Sequence, residues 1–329
     1  MQPHSQTVTF GSVLAPLLQQ HIAEKRALGC RYDSAAISLR ALDRYLTARD
    51  VCHPSLTRDV VEGWIARRPN ESPKTQASRC VVLRQFCLFV ERQGYAPFLP
   101  DSRLVARPQS TFAPYIFSEQ EIAALFAVID TVRPHPRSPD RAQIIPLVFR
   151  LLYGCGLRIS EALHLHVRDV DGTHGLLTIR DTKFRKDRLV PVAPSLTRRL
   201  QGYAQLVLAS RAPEAFFFQA PDGGAWHSRV WYDLFRHALS QCGIAHRGRG
   251  QGPRIHDLRH TFACHRLARW LRDDMAVDLA LPILSTYLGH ESIYQTQRYL
   301  HLFPQLYPEI TSRLAGYCGT VIPDEEVTP

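Results

Sequence analysis

A mainly α protein in two parts is what this sequence predicts: an N-terminal helical bundle, then a larger mixed α/β domain of helices around one small β-hairpin. Three observations carry the prediction. Four apolar stripes at helical spacing fill the first hundred residues, with short polar connections between them. From Pro100 to Pro114 the pattern breaks into a polar, proline-containing stretch that includes Arg103, Arg107, Pro108, Gln109 and Ser110. Beyond it helical periodicity returns and is interrupted once, by two short apolar runs on either side of a basic turn.

Taken in order, residues 11 to about 28 form an amphipathic helix with Val13, Leu14, Leu17, Leu18, Ile22 and Ala23 on one side, stopped by Gly29. Ser34 is placed to cap a second helix carrying Ile37, Leu39, Leu42 and Leu46. A third begins near Thr57 with Val60, Val61, Trp64 and Ile65. A fourth runs from about Lys74 to Gln93 with Val81, Leu83, Phe86, Leu88 and Phe89, and Gly94 ends it. Basic side chains (Arg67, Arg68, Lys74, Arg79, Arg84) fall on the exteriors and connections of this bundle.

In the second part, Ser118-Glu119-Gln120-Glu121 is a capping-box start for a helix carrying Ile122, Leu125, Phe126 and Ile129. Residues 132 to 141 are a loop. Ile144 to Tyr153 is apolar almost all round, which predicts a buried helix leading to Gly154-Cys155-Gly156. Leu176–Ile179 and Arg188–Val192 are the hairpin strands, and Pro191 puts the second at an edge or near its end. Helices follow from Ser195 through Leu206 and from Ser228 to Leu239, the latter with Val230, Trp231, Leu234 and Phe235. His246 to Arg254 is a glycine-rich basic loop. A helix bearing His256 and Arg259 comes next, with Leu258, Phe262 and Leu267 pointing inward.

Composition narrows the function. Of 329 residues, 45% are hydrophobic, enough for ordinary cores. Lys and Arg total 40 against 30 acidic residues, a net charge of +10, which favours a polyanionic partner, nucleic acid before membrane. None of the 8 cysteines forms a Cys-x-x-Cys pair, and several sit in apolar helical patterns, as small buried residues in a reducing compartment do. With no signal pattern at the N-terminus and no apolar run of roughly 18 residues, the expected location is the cytoplasm.

The chemistry is concentrated between Arg254 and His301. His256 and Arg259, three apart, share a helix face, so two donors can reach one anion such as a phosphate. His256 and His260, four apart, have the spacing of a zinc pair, but the zincin motif needs Glu where Asp257 stands, so no metal is expected and His260 and His265 are read as core or surface histidines. Upstream, Arg158 follows a glycine-rich turn with Glu161 three residues on, and Lys183 and Lys186 lie in the basic hairpin turn.

Taken together, Gly156-Leu157-Arg158, the hairpin Thr182-Lys183 with Arg188-Leu189-Val190-Pro191, His256-Asp257-Leu258-Arg259, Leu288-Gly289-His290 and Tyr299 nine positions later resemble the tyrosine recombinases, or phage-type integrases. The resemblance is specific from Arg158 to His301 and architectural before that. It implies a SAM-like core-binding helical DNA domain over residues 1–100, a linker over 101–117 and a catalytic domain over 118–329. It further implies a catalytic set of Arg158, Lys183, His256, Arg259, His290 and Tyr299; beside Lys183, Phe184 and Arg185 stand where the family often has glycine.

The implied reaction is attack by Tyr299 on a DNA phosphodiester, giving a 3′-phosphotyrosyl bond and a 5′-hydroxyl, with no cofactor, no metal and adjacent arginines helping to deprotonate the phenol. The implied partners are double-stranded DNA and three further copies of the chain, a tetramer on paired sites, with room for accessory DNA-bending factors. The run before Leu288 is more like mobile-element recombinases than chromosome-dimer resolvases. Two alternatives share these residues: a type IB topoisomerase-like enzyme and a non-catalytic DNA-binding relative. An apolar stripe of Leu302, Phe303, Leu306 and Ile310 is expected to pack on a neighbouring protomer.

Overall fold

The computed structural model describes residues 10–105, 113–180, 187–246 and 252–302, except for the side chains of Ser102 and His301. The chain divides into two compact units, Met1–Thr111 and Phe112–Pro329.

The first unit contains α1 (Ala15–Ala27), α2 (Asp33–Ala48), α3 (Arg58–Ile65) and α4 (Pro73–Arg92). Their apolar stripes meet in one core that includes Leu18, Leu42, Trp64, Phe86 and Val90. Helix starts are set by more than capping spacing. Ser34 does not cap α2: the helix begins a residue earlier, at Asp33, behind Tyr32 in the left-handed conformation (φ 55°). The Tyr32 hydroxyl is thereby aimed at the buried His21, whose Nε2 lies 2.9 Å away. Ser72 does cap α4, accepting from the Thr75 amide at 3.1 Å. Val13, Ile37, Val81 and Leu88, expected on the inner stripes, are exposed. Ile37, Val81 and Leu88 lie on the faces of α2 and α4 turned away from the buried stripes, and Val13 precedes α1.

Polar side chains buried in this unit tie its connections down. The Asp43 carboxylate accepts from the Gly11 and Ser12 amides, both at 2.9 Å, and fixes the entry to α1. Arg79, expected on the exterior, is buried. It forms a two-pronged pair with Glu71, Nε to Oε1 and Nη2 to Oε2 both at 2.7 Å, and also donates to the carbonyls of Trp64 and Ala66. That set of bonds clamps the α3–α4 connection, and Arg68 stacks over the Trp64 ring beside it.

The second unit begins inside the expected linker: Phe117 is fully buried, and its amide donates to Thr261 Oγ1 at 3.1 Å. The elements then run α5 (Glu119–Ile129), α6 (Arg141–Gly154), α7 (Ile159–Leu163), β1 (Val170–Asp171), β2 (Leu176–Ile179), β3 (Arg188–Pro191), α8 (Pro194–Val207), α9 (Ser228–Gln241), α10 (Asp257–Arg272), α11 (Val277–Leu288) and α12 (Ile293–Leu302). Ser118 and Glu121 form the capping box in full, each side chain bonded to the other residue's amide. As its sequence requires, α6 is buried nearly all round, and Phe149 meets Trp231 and Phe235 of α9.

The sheet is antiparallel in the order β1-β2-β3, with Leu177 opposite Val190 and Ile179 opposite Arg188. The two-residue β1 had no signal in the sequence, because a strand that short has no periodicity to show. Pro191 closes β3, the edge strand. Among the described residues no helix is long and apolar enough to cross a membrane.

Removing one member of a buried ion pair leaves the other charge unpaired, which costs about 3–5 kcal/mol. Glu71→Ala should therefore lower stability by that order in urea unfolding of the full chain. A change under about 1 kcal/mol would mean that the carbonyls of Trp64 and Ala66 satisfy Arg79 alone.

Candidate active site

Gly156 starts the site. Its φ is +59°, and a Cβ there would fall 2.5 Å from Phe262 and 2.9 Å from Leu288, so a side chain is excluded both by backbone and by space. The tight turn lets its carbonyl accept from Arg259 Nη1 at 2.6 Å, while Arg259 Nη2 donates to the Leu288 carbonyl, also at 2.6 Å. Arg259 is thus held by the backbone of two other elements and is 2% exposed. Burial and the repulsion of Arg158 lower its pKa to about 10, still protonated at neutral pH.

Arg158 occupies the N-cap position of α7, and Glu161 stands three residues on. The Glu161 carboxylate accepts from the Arg158 amide at 2.9 Å and from Arg158 Nη1 at 2.6 Å. It also receives both prongs of Arg188 from β3, at 3.0 and 2.9 Å, and Arg259 Nη1 lies 3.9 Å away. Burial pushes the Glu161 pKa up. The Arg188 hydrogen bonds and charge, the Arg158 amide and Arg259 overcome it and hold the value at about 2. Arg188 reaches further, donating through Nε to the Tyr287 carbonyl at 3.1 Å. Its side chain fills the space over Gly289, which ends α11 in the left-handed conformation. In the sequence Arg188 stands out only as the first residue of the second hairpin strand. Its place in the Arg-Leu-Val-Pro strand carries no sign of this role, since the partner is 27 residues away.

The turn at Gly289 brings His290 back over the site, with its amide bonded to the Ser285 carbonyl at 3.0 Å. His290 Nδ1 lies 2.8 Å from Oγ1 of the fully buried Thr296 on α12. Three residues later on the same helix, Tyr299 is 3% exposed and turns its hydroxyl to His260 Nδ1 at 3.2 Å. The rings of His290 and Tyr299 stack at 6.1 Å. His256 stands at the N-cap of α10, its ring perpendicular to that of His260 at 4.9 Å.

The structure therefore brings Arg158, His256, Arg259, His290 and Tyr299 together. Lys183 and Lys186 lie outside the described residues. The strand ends on either side of them are anchored: Arg180 to the buried Asp169 at 2.6 Å, Arg188 to Glu161. Tyr294 is exposed and the Tyr287 hydroxyl donates to the Pro191 carbonyl, so neither competes with Tyr299; Tyr307 lies outside the described residues. His260, read from sequence as a core or surface histidine, is at the site. The signal available was its position four residues after His256 and one after Arg259. Among the described residues no group of three His, Cys, Asp or Glu side chains is placed to hold a metal ion.

Burial sets the charge states. It lowers the pKa of His256 and of His260 to about 4 and that of His290 to about 3, in each case reinforced by neighbouring arginines. It raises that of Tyr299 to about 12, outweighing the lowering by Arg259, Arg298 and Arg158. The expectation that the arginines ease deprotonation holds in sign, but desolvation is the larger effect. At neutral pH the site holds the charged Arg259 guanidinium, three neutral imidazoles and a protonated phenol.

Residues 116–305 match the model of the phage integrase family. The chain is 32% identical over 312 residues to the integrase/recombinase y4rB of Sinorhizobium fredii, covering 92% of this chain and 97% of that protein. It is 28% identical over 291 residues to the tyrosine recombinase XerD of Neisseria meningitidis, covering 87% and 90%. The fold is similar to that of the site-specific recombinase XerH bound to its palindromic difH substrate (TM-score 0.63, 17% identity, 90% of this chain and 83% of that one). It is also similar to that of the Tn1549 transposon integrase in complex with transposon right end DNA (0.61, 16%, 86% and 94%). The chain belongs to the phage integrase family, whose members are tyrosine recombinases. Site-specific recombination is its function class.

Two outcomes follow from the site's electrostatics. Arg188→Met should destabilise the full chain by about 3 kcal/mol, because it strips a buried carboxylate of its two-pronged partner, while Arg188→Lys restores the charge without the fork and recovers only part. Equal stability of both variants and the parent in urea would show that Arg158 and Arg259 suffice for Glu161. The three imidazoles, with folded pKa values below the unfolded value near 6.5, contribute stability that is complete above that pH and is lost as pH falls toward 4. The melting temperature should drop steadily from pH 6.5 to 4; a flat profile over that window contradicts the assigned charge states.

Proposed function

We propose that this protein cuts and rejoins double-stranded DNA with Tyr299 as nucleophile and Arg158, Arg259, His256, His290 and Lys183 as the rest of the catalytic set. The observation that carries the proposal is the buried Tyr299 hydroxyl, held beside His260 and within the field of Arg259 and Arg158. Tyr299 Oη attacks phosphorus, the 5′-oxygen leaves, and a 3′-phosphotyrosyl bond preserves the energy of the broken phosphodiester. Negative charge grows on the non-bridging oxygens. Arg158 and Arg259 neutralise it from fixed positions, with no reorganisation needed at the moment of reaction.

His290 is neutral, so it offers one N–H. In the tautomer whose Nδ1 accepts from the Thr296 hydroxyl, the proton sits on Nε2, from which it can be shared with a phosphate oxygen. His256 assists proton transfer from the N-terminal end of α10. Lys183 protonates the leaving oxygen. A 5′-hydroxyl of a partner strand reverses these steps.

DNA as the partner is supported by the net charge of +10 and by the relatives solved with DNA, XerH and the Tn1549 integrase. The first unit, with Arg67, Arg68, Lys74 and Arg84, serves as a DNA-binding domain in addition to the catalytic one. Recombination of two duplexes requires four strand cuts, and so four protomers on paired sites in the cytoplasm, with accessory DNA-bending factors assisting assembly. The likeness to the Tn1549 transposon integrase favours a mobile element as the substrate.

A duplex recovered from a random-sequence pool by rounds of binding to the protein, then nicked to trap the covalent product, provides the test. Tyr299→Phe should bind this duplex as the parent does and form no covalent adduct in denaturing gels. An adduct that persists in Tyr299→Phe would move the nucleophile elsewhere.

A further inference from the structure

Three histidines stand at the site, two of them against Tyr299, and they are not equivalent. His290 presents its ring face and has its Nδ1 engaged by Thr296. His256 meets the edge of another imidazole. His260 is the one that shares a hydrogen bond with the phenolic oxygen, Nδ1 to Oη at 3.2 Å. We propose that His260 is a catalytic residue, the base that takes the Tyr299 proton during attack on phosphorus and returns it during rejoining. The inference rests on Tyr299 being the nucleophile.

The need for such a base is a consequence of burial. With the Tyr299 pKa raised to about 12, only about one phenol in 10⁵ is ionised at pH 7. Attack by the rare phenolate would therefore be slow, whereas attack by the phenol with proton transfer in the transition state uses the whole population. The acceptor must be neutral and already in hydrogen-bond contact. His260 meets both conditions: its pKa is lowered to about 4 by burial and by the charges of Arg254, Arg259 and Arg298. In the tautomer with the proton on Nε2, Nδ1 accepts from the hydroxyl.

His260 lies in the first turns of α10, between the buried Arg259 and Thr261, so the nitrogen is held by a rigid helix. As the Tyr299 Oη–phosphorus bond forms, the phenolic proton becomes acidic and passes to His260 Nδ1. The phosphorus–O5′ bond breaks, and the 5′-oxygen takes a proton from the protonated amine proposed as acid. The groups facing His260 are Arg254, Arg259, Arg298, His256, His290 and Tyr299 itself. Three of them are cationic and disfavour a lasting imidazolium. The proton is thus held only loosely, as a step that must run equally well backwards demands.

The test uses the nicked duplex selected above and the full chain. The parent protein should form its adduct at a rate nearly independent of pH between 6.5 and 9. His260→Ala and the size-conserving His260→Gln should bind the duplex with unchanged affinity, yet form adduct about 10²–10³-fold more slowly at pH 7. Their rates should climb roughly tenfold per pH unit, because each must wait for spontaneous phenolate, whose population grows by that factor. Replacing Tyr299 by 3,5-difluorotyrosine, a stronger acid of nearly the same shape, should recover at least tenfold in the His260 variants and far less in the parent.

A variant rate that stays parallel to the parent across this pH range, or that fluorination does not recover, would overturn the proposal and leave His260 a packing residue. Absence of adduct from the parent protein itself would instead overturn the nucleophile assignment, and this inference with it.

Discussion

The carboxylate of Glu161 is the interaction on which the site depends. Three guanidiniums from three elements converge near it: Arg158 from the start of α7, Arg188 from β3 and Arg259 from α10. Like charges placed so closely would repel strongly in a desolvated pocket, and a buried charge without partners is costly. One carboxylate with four lone-pair directions satisfies the first two and offsets the third. Because Arg188 also bonds the end of α11, the same carboxylate indirectly fixes the turn that carries His290.

Desolvation then decides what each titratable side chain can do. It leaves the arginines charged, because their pKa values start so high that even Arg259, lowered to about 10, remains a cation. It neutralises the histidines and keeps Tyr299 protonated. The site is therefore positive, with neutral imidazoles, and is suited to an anion.

A similar arrangement, a two-pronged buried arginine–carboxylate pair, stabilises the first unit, where Arg79 and Glu71 close the α3–α4 connection. There the pair also saturates two backbone carbonyls at the end of α3, so the turn bearing Arg67 and Arg68 leaves a fixed base. Mere excess of arginine over acid in the sequence does not tell which arginines are exposed. Arg79 and Arg84 were both read as exterior: Arg84 is exposed, with one donor turned to the Pro100 carbonyl, whereas Arg79 is buried.

By itself the sequence determined the elements whose signals are local. Periodic apolar stripes placed the four helices of the first unit and α5, α6, α8 and α9 of the second to within a few residues. The capping box at Ser118, the hairpin strands and the glycine-rich break at Gly154-Cys155-Gly156 were equally legible, because each depends on neighbours in the chain. The spacing of Arg158, His256, Arg259, His290 and Tyr299 was legible too, since the family motif names positions along the chain. Tertiary structure decided what depends on distant partners. Arg188 acquires its role from a carboxylate on another element, and the core at Phe117 is completed by Thr261 of α10. His260 meets Tyr299 across 39 residues, a contact that no local pattern encodes. The pKa of Tyr299 belongs to the same class: burial, which only the fold creates, opposes the arginines that the sequence already displayed.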